Sequence, residues 1–312
     1  MTISYPVRLN YIYKEAVWGG DRMKTLFGFD SGLPHQAEGW ALTVRDDGEN
    51  TLAQGKLTGA PLSEGDSSAK KEDFPLLIKY IDAGDKLSIQ VHPAKTEFWY
   101  IVDCAPDSWL IYGQNGDYTE EQLRAALKRG ELESCLRRQP VKPGECYFIP
   151  TGLTHAIGND ILIAEIQENS NITYRVYDYD RPGIDGRPRE LHTDKAFSVM
   201  KNFSEEELES LRFSVPYELP EEQRETSAVL ASCNEFTVVK HALIDPLTEP
   251  IAIKAGGEFS HLLIIGGEGA INGEPCKAGE SWYIPSAAGE VWLTPKKELI
   301  ILESFKLPGN SL

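Results

Sequence analysis

GDKLSIQVHPAKTE (residues 84–97) and GECYFIPTGLTHAIGN (residues 144–159) decide how this chain is read. In the first stretch Gln90 and His92 stand two apart on an extended run, which puts both side chains on one face of a strand. Pro93 cannot donate to a ladder and ends that strand; Ala94-Lys95-Thr96 turns the chain, and Glu97 opens the next one. In the second, the strand CYFI (146–149) is closed by Pro150-Thr151-Gly152, and His155 follows. Four nitrogen and oxygen donors, Gln90, His92, Glu97 and His155, thus come from three strand ends that can converge inside a small β-barrel. A donor set without sulfur suits zinc, and also iron, manganese or nickel. With one carboxylate among neutral ligands, a bound cation keeps Lewis acidity toward a substrate oxygen.

Outward from these stretches, short runs rich in Ile, Val, Tyr, Phe and Trp alternate with Gly, Pro, Asn and Asp clusters. LLIKYI (76–81), FWYIVD (98–103), SWLIYG (108–113), ILIAEIQ (161–167) and ITYRVYDY (172–179) are examples. Many short strands with regular turn signals predict an antiparallel sandwich or barrel. Two helical stretches interrupt the pattern. Thr119 to Arg138 opens on a capping-box signature and carries Leu123, Leu127, Leu132 and Leu136 near helical spacing. One or two short helices are expected within 193–213, one starting at Ser204. The polar, proline-bearing segment 214–225 reads as a linker, after which strands resume.

An internal repeat sets the organisation. VKPGECYFIPTGLTHAI (141–157) returns 135 residues later as CKAGESWYIPSAAGEVWLT (276–294), with Gly144 matched by Gly279, Pro150 by Pro285 and His155 by Glu290. Two similar barrels in tandem explain the repeat. The second has lost the histidine, so the two halves are expected to differ in role. This divides the chain into a metal-binding catalytic domain (1–213), a linker (214–225) and a degenerate C-terminal domain (226–312).

Bulk properties narrow the function. The 312 residues, 41% hydrophobic and 25% charged, suit a globular chain of two modest domains, or one large one with additions. No run of eighteen apolar residues occurs, and the N-terminus lacks the basic-then-apolar pattern of a secretory signal, so a cytoplasmic protein without membrane contact is expected. The five cysteines are scattered and never spaced C-x-x-C, which argues against a disulfide framework or a zinc finger. A net charge of −17 with no basic patch argues against nucleic acid, and an anionic substrate would need local cations to overcome it.

Gly84-x5-Gln90-x-His92-x4-Glu97 resembles the first cupin motif with Gln in place of its first His, and Gly144-x5-Pro150-x-Gly152-x2-His155-x3-Asn159 resembles the second at every fixed position. LSIQVHP, KTEFWYIVD, FIPTGLTHAIG and NSNITYRVYDYDR together resemble the type I mannose-6-phosphate isomerase family, from about Val17 to about His192, with a weaker continuation. The resemblance implies a mainly β fold of two tandem cupin-type jelly-roll barrels with a few short helices. It also implies one zinc per chain held by Gln90, His92, Glu97 and His155, and interconversion of mannose 6-phosphate with fructose 6-phosphate. Relatives usually carry a longer segment between His-Pro and Lys-Thr-Glu; here only Ala94 stands there.

Aldose–ketose isomerisation needs an acid/base near C1 and C2 and an electrophile for the developing enediolate. Glu165 is the leading acid/base candidate: Ile161, Ile163, Glu165 and Gln167 share one strand face, and a carboxylate there is costly to bury unless paired or functional. A barrel-mouth salt bridge is its structural alternative. Lys95 matches a family residue lining the site, where it would transfer a proton or attract phosphate; an exposed turn lysine is the plain alternative. Arg175 shares a face with Thr173 and Tyr177 and would bind sugar oxygens or phosphate through paired hydrogen bonds, or else bridge Asp178 or Asp180. Arg181 sits where relatives place a basic residue near the phosphate. Trp18 and Tyr174 could line a sugar site, but aromatic residues are more often core, and they are left out of the catalytic set. The competing functions are an iron oxygenase on the same scaffold and a non-enzymatic sugar-binding cupin. The expected partner is a small phosphosugar, and the assembly a monomer or homodimer.

Overall fold

The structure is a computed structural model that describes residues 3–214, 223–245 and 250–307. Why the runs LLIKYIDA (76–83) and ILIAEIQE (161–168) are almost continuously apolar is answered by their position. Both lie inside a seven-stranded antiparallel sheet, ordered 212–214, 145–149, 97–104, 161–168, 76–83, 36–42 and 12–15. That sheet is covered on both faces. Ile161 and Ile163 pack with Trp99, Leu110, Tyr112 and Ile157 toward a facing five-stranded sheet. Leu162, Ala164 and Ile166 point the other way, into a cluster with Leu263, Tyr283 and Leu302. Alternation then places Glu165 in phase with Ile161 and Ile163, between the two sheets, at 2% exposure.

The five-stranded sheet runs in the order 136–140, 109–114, 155–157, 89–91, 174–177. Its register sets His155 opposite Gln90, and Arg175 opposite Gln90 on the other side. Its outer face is covered by Leu123 and Ala126 of the helix Glu120–Lys128 and by Ala196 and Phe197 of the helix Thr193–Val199.

The expected helix from Thr119 to Arg138 is shorter than its leucine spacing predicts. The capping box forms, with the Gln122 N–H donating to Thr119 Oγ1 and the Thr119 N–H to Gln122 Oε1. Gly130 then takes φ +73°, a left-handed conformation that ends a helix. A 3₁₀ turn (Leu132–Cys135) and a strand (Leu136–Pro140) follow. Leu132 and Leu136 still reach the same core, which is why the spacing misleads. Two short helices fall within 193–213 as expected, the second (Glu205–Ser210) capped by Ser204.

The C-terminal part builds most of a nine-stranded sheet, which contains the second copy of the repeat. In both copies the turn glycine is left-handed, Gly144 at φ 87° and Gly279 at φ 90°. In both, the following glutamate accepts from the lysine backbone N–H three residues back, at 3.0 Å for Glu145 and 3.4 Å for Glu280. That carboxylate also accepts from the aromatic residue two positions on, Tyr147 or Trp282. The repeated letters therefore encode one hydrogen-bonded turn used twice. The strand Val7–Asn10 pairs with Ser281–Pro285, so the N-terminal segment lies in the sheet otherwise built mainly by residues 225–305. Of the linker expected at 214–225, residues 215–222 lie outside the described ones. Among the described residues no helix is long and apolar enough to cross a membrane.

Candidate active site

His92 follows the strand Ile89–Val91, and Glu97 opens the next strand after a four-residue turn. His155 opens the strand His155–Ile157 and pairs across the ladder with Gln90, so the sheet itself gathers the donors. Ligand atoms of His92, Glu97 and His155 all lie within 4.8 Å of one another, and all three residues are buried. His92 Nδ1–H donates to the Ile172 carbonyl at 3.1 Å and His155 Nδ1–H to the Leu153 carbonyl at 2.9 Å. Both tautomers are thereby set, with the Nε2 lone pairs turned inward. Burial above all depresses both imidazole pKa values, that of His155 to about 3, so both rings are neutral. Burial opposes ionisation of Glu97, but the Lys95 ammonium foremost outweighs it, and the carboxyl is held well below its usual range.

The result is a set of electron pairs facing one another. His92 Nε2 is buried without a hydrogen-bond partner and stands 3.1 Å from Glu97 Oε1; His155 Nε2 stands 4.0 Å from Glu97 Oε2 and 3.3 Å from the Gln90 amide. A half-turn of that amide presents its oxygen. Convergent acceptors of this kind, the imidazole Nε2 atoms and the carboxylate having no hydrogen to offer one another, fit a bound cation. The Lys95 ammonium, 4% exposed and 2.7 Å from Glu97 Oε1, supplies positive charge from one side.

A second tier stands behind the cluster. Trp99 Nε1–H is shared between Glu97 Oε2 (3.2 Å) and Glu165 Oε2 (3.0 Å). Lys79 Nζ lies 3.1 Å from Glu165 and 3.5 Å from Glu38. Burial, then the nearby Glu97 charge, push the Glu165 carboxyl up to about 7 against the pull of Lys79 and Lys95. A cavity of about 240 Å³ reaches Gln90, Lys95, Glu97 and Glu165 and is walled further on by Ser88, Thr173, Arg175 and Arg189. A larger groove of about 850 Å³, between Gln114, Arg137 and Asn202, holds none of the candidate ligands. The smaller cavity is the one with chemistry in it.

Comparison with known proteins agrees with this geometry. Residues 7–119 match the family model for the phosphomannose isomerase type I catalytic domain. The mannose-6-phosphate isomerase ManA of Bacillus subtilis is 36% identical over 320 aligned positions, covering 95% of this chain and 98% of that protein. The chain belongs to the type I phosphomannose isomerase family. A crystal structure of the Bacillus subtilis mannose 6-phosphate isomerase superposes with a TM-score of 0.79 at 28% identity, covering 96% of this chain and 99% of that one. A mannose 6-phosphate isomerase solved with zinc and yttrium shares the fold at TM-score 0.68 and 15% identity, covering 98% of this chain and 100% of that one.

The iron-oxygenase and non-enzymatic alternatives therefore give way: this is a mannose-6-phosphate isomerase of the cupin fold. In the isomerase, Gln90, His92, Glu97, His155, Lys95 and Glu165 are brought together around one space. Arg175 joins them at the cavity wall, beside Thr173 but not Tyr177. A register shift between Arg175 and Tyr177 breaks the alternation, and Tyr177 packs with the outer cluster instead. Arg181 donates to Asp178 and Asp85 and does not line the cavity. Of the two aromatic residues that could line a sugar site, Trp18, 5% exposed, lines the cavity, whereas Tyr174 packs outside. The sequence reading does not single out Lys79 or Arg189, which also wall the cavity. Lys79 in LLIKYI is a charge in the middle of an apolar strand, the same signal that marks Glu165; nothing in the sequence flags Arg189.

Proposed function

We propose that the isomerase interconverts mannose 6-phosphate and fructose 6-phosphate by proton transfer between C1 and C2, at a site holding one zinc ion. His92, Glu97 and His155, with Gln90 as fourth donor, would hold the ion, and their convergent lone pairs, beside the cavity that Gln90 and Glu97 line, are the observation that carries this reading. Zinc bound there would supply Lewis acidity toward a substrate oxygen. Glu165 is the proposed acid/base: a carboxyl with a pKa near 7 can both take a proton and return it at neutral pH. Trp99 fixes one of its oxygens, leaving Lys79 to balance the charge at the other. Lys95 reaches Glu97 and Gln167 from the cavity wall and offers a donor to a substrate oxygen on which negative charge develops. Arg175 would bind sugar or phosphate oxygens through its planar fork. Arg181, engaged by Asp178 and Asp85 outside the cavity, is given no part in substrate binding.

The test is an assay coupling fructose 6-phosphate formation to a reporter, run on protein whose metal content is measured in parallel. Turnover should vanish with chelation and return with zinc. Undiminished turnover in metal-free protein would remove the metal from the reaction.

A further inference from the structure

Arg189 lies outside every motif that identifies the family, yet its side chain walls the cavity beside Arg175. It is held by Asp178: Nε donates to Oδ2 and Nη2 to Oδ1, both at 2.6 Å. Asp178 is only 4% exposed and also accepts two bonds from Arg181 at 3.1 and 3.2 Å. One buried carboxylate thus serves two guanidiniums. Arg175 adds a third, and among the described residues no carboxylate pairs with it: its Nε donates to Ser88 Oγ at 3.3 Å and its Nη1 to the Glu190 carbonyl at 2.8 Å.

The cavity end therefore carries surplus positive charge on a chain whose net charge is −17. Arg175 is a half-buried cation without a counter-ion, which is costly unless an anion completes it. Planar forks presented side by side match the oxygens of a phosphate. Arg181 spends its remaining reach on Asp85, away from the cavity, whereas Arg189 keeps Nη1 free of any protein acceptor among the described residues. The subsite is also well placed. Arg175 is paired across the ladder with Gln90, so the anion would sit one strand from the proposed metal ligands.

We propose that Arg189 and Arg175 together bind the phosphate of the substrate, that Asp178 positions Arg189 for that task, and that Arg189 sets the preference for a phosphorylated hexose. This rests on the phosphosugar reading above, and its test separates the two. Zinc-loaded wild type, Arg189→Ala, Arg189→Lys and Arg181→Ala are compared by kcat and KM for mannose 6-phosphate. The rise in Tm caused by inorganic phosphate is measured on the same four proteins. Losing a charge-assisted fork should raise KM at least about tenfold in Arg189→Ala, with kcat within about threefold. The phosphate-induced rise in Tm should largely disappear in the same variant. Arg189→Lys keeps the charge and loses the fork, so it should fall between, and it carries the test should the alanine variant fold poorly. Arg181→Ala should leave KM within about threefold. An Arg189→Ala protein with unchanged KM and unchanged response to phosphate overturns the proposal, as does a larger KM effect in Arg181→Ala. If wild type shows no turnover but a phosphate response that Arg189→Ala abolishes, the subsite stands and the proposed zinc mechanism falls.

Discussion

Replacing Glu165 by Gln keeps the shape of a side chain that is 2% exposed and removes its capacity to accept a proton. Positioned general-base catalysis is worth about 10²–10⁴ in rate, or roughly 3–5 kcal/mol of barrier. The structure says where that loss should appear. Trp99 Nε1–H can still donate to the amide oxygen, so the side chain stays oriented. Lys79 loses its nearer partner and keeps Glu38 at 3.5 Å, a structural cost of about 1.5–3 kcal/mol that lowers Tm without unfolding the protein. The metal donors are untouched, so zinc content should stay at the wild-type level. The pH profile carries the sign. Burial and Glu97 raise the Glu165 carboxyl to about 7, so its base form is lost as pH falls through that value and kcat/KM should decline on the acid side. A cation at Glu97 favours the ionised form and would move that midpoint below 7, not above it. The assay is coupled turnover of mannose 6-phosphate from pH 5.5 to 8.5, with metal content measured on each sample. A Glu165→Gln protein that keeps its zinc and more than about a tenth of wild-type kcat would refute the assignment of Glu165 as the base.

Trp99→Phe removes the N–H shared by Glu97 and Glu165, at 3.2 and 3.0 Å. It should reduce kcat by about tenfold or more while the fold survives, since a lost bond to a charged group is worth about 1.5–3 kcal/mol; unchanged kinetics would show that the bridge does not position the base. Asp82 is fully buried, accepts one bond from the Met23 N–H at 2.7 Å, and leaves Oδ1 without a partner. Burial pushes its carboxyl from 3.8 up to about 6. A folded-state value above the unfolded one means that stability present at low pH is lost as pH rises from about 4 through 6, by about 3 kcal/mol in all. Asp82→Asn should therefore flatten the stability difference between pH 4.5 and 7.5; equal slopes for both proteins in urea unfolding would contradict this.

The convergence of the four candidate donors was legible because its determinants are local. Period-two spacing puts Gln90 and His92 on one side, Pro93 ends their strand, and the turn before His155 is spelled out by Pro150 and Gly152. Glu165 was legible because a carboxylate in ILIAEIQ violates the apolar run around it. What was missed depends on tertiary contacts. Arg189 gains its orientation from Asp178, eleven residues away in an irregular segment. Tyr177 changes face because the ladder slips by one residue, which no alternation pattern announces. The leucines after Gly130 keep helical spacing while the chain does not, because a turn and a strand deliver them to the same core. The strand Val7–Asn10 crosses to the C-terminal sheet, a long-range pairing that neighbouring residues do not encode.

Zinc K-edge absorption on the purified protein and on His155→Ala examines the ligand assignment most directly. Wild type should show one zinc per chain in an all nitrogen and oxygen shell at about 2.0–2.2 Å with imidazole scattering, and the variant should lose most of the bound metal. A sulfur shell near about 2.3 Å, or full zinc occupancy without His155, would contradict it.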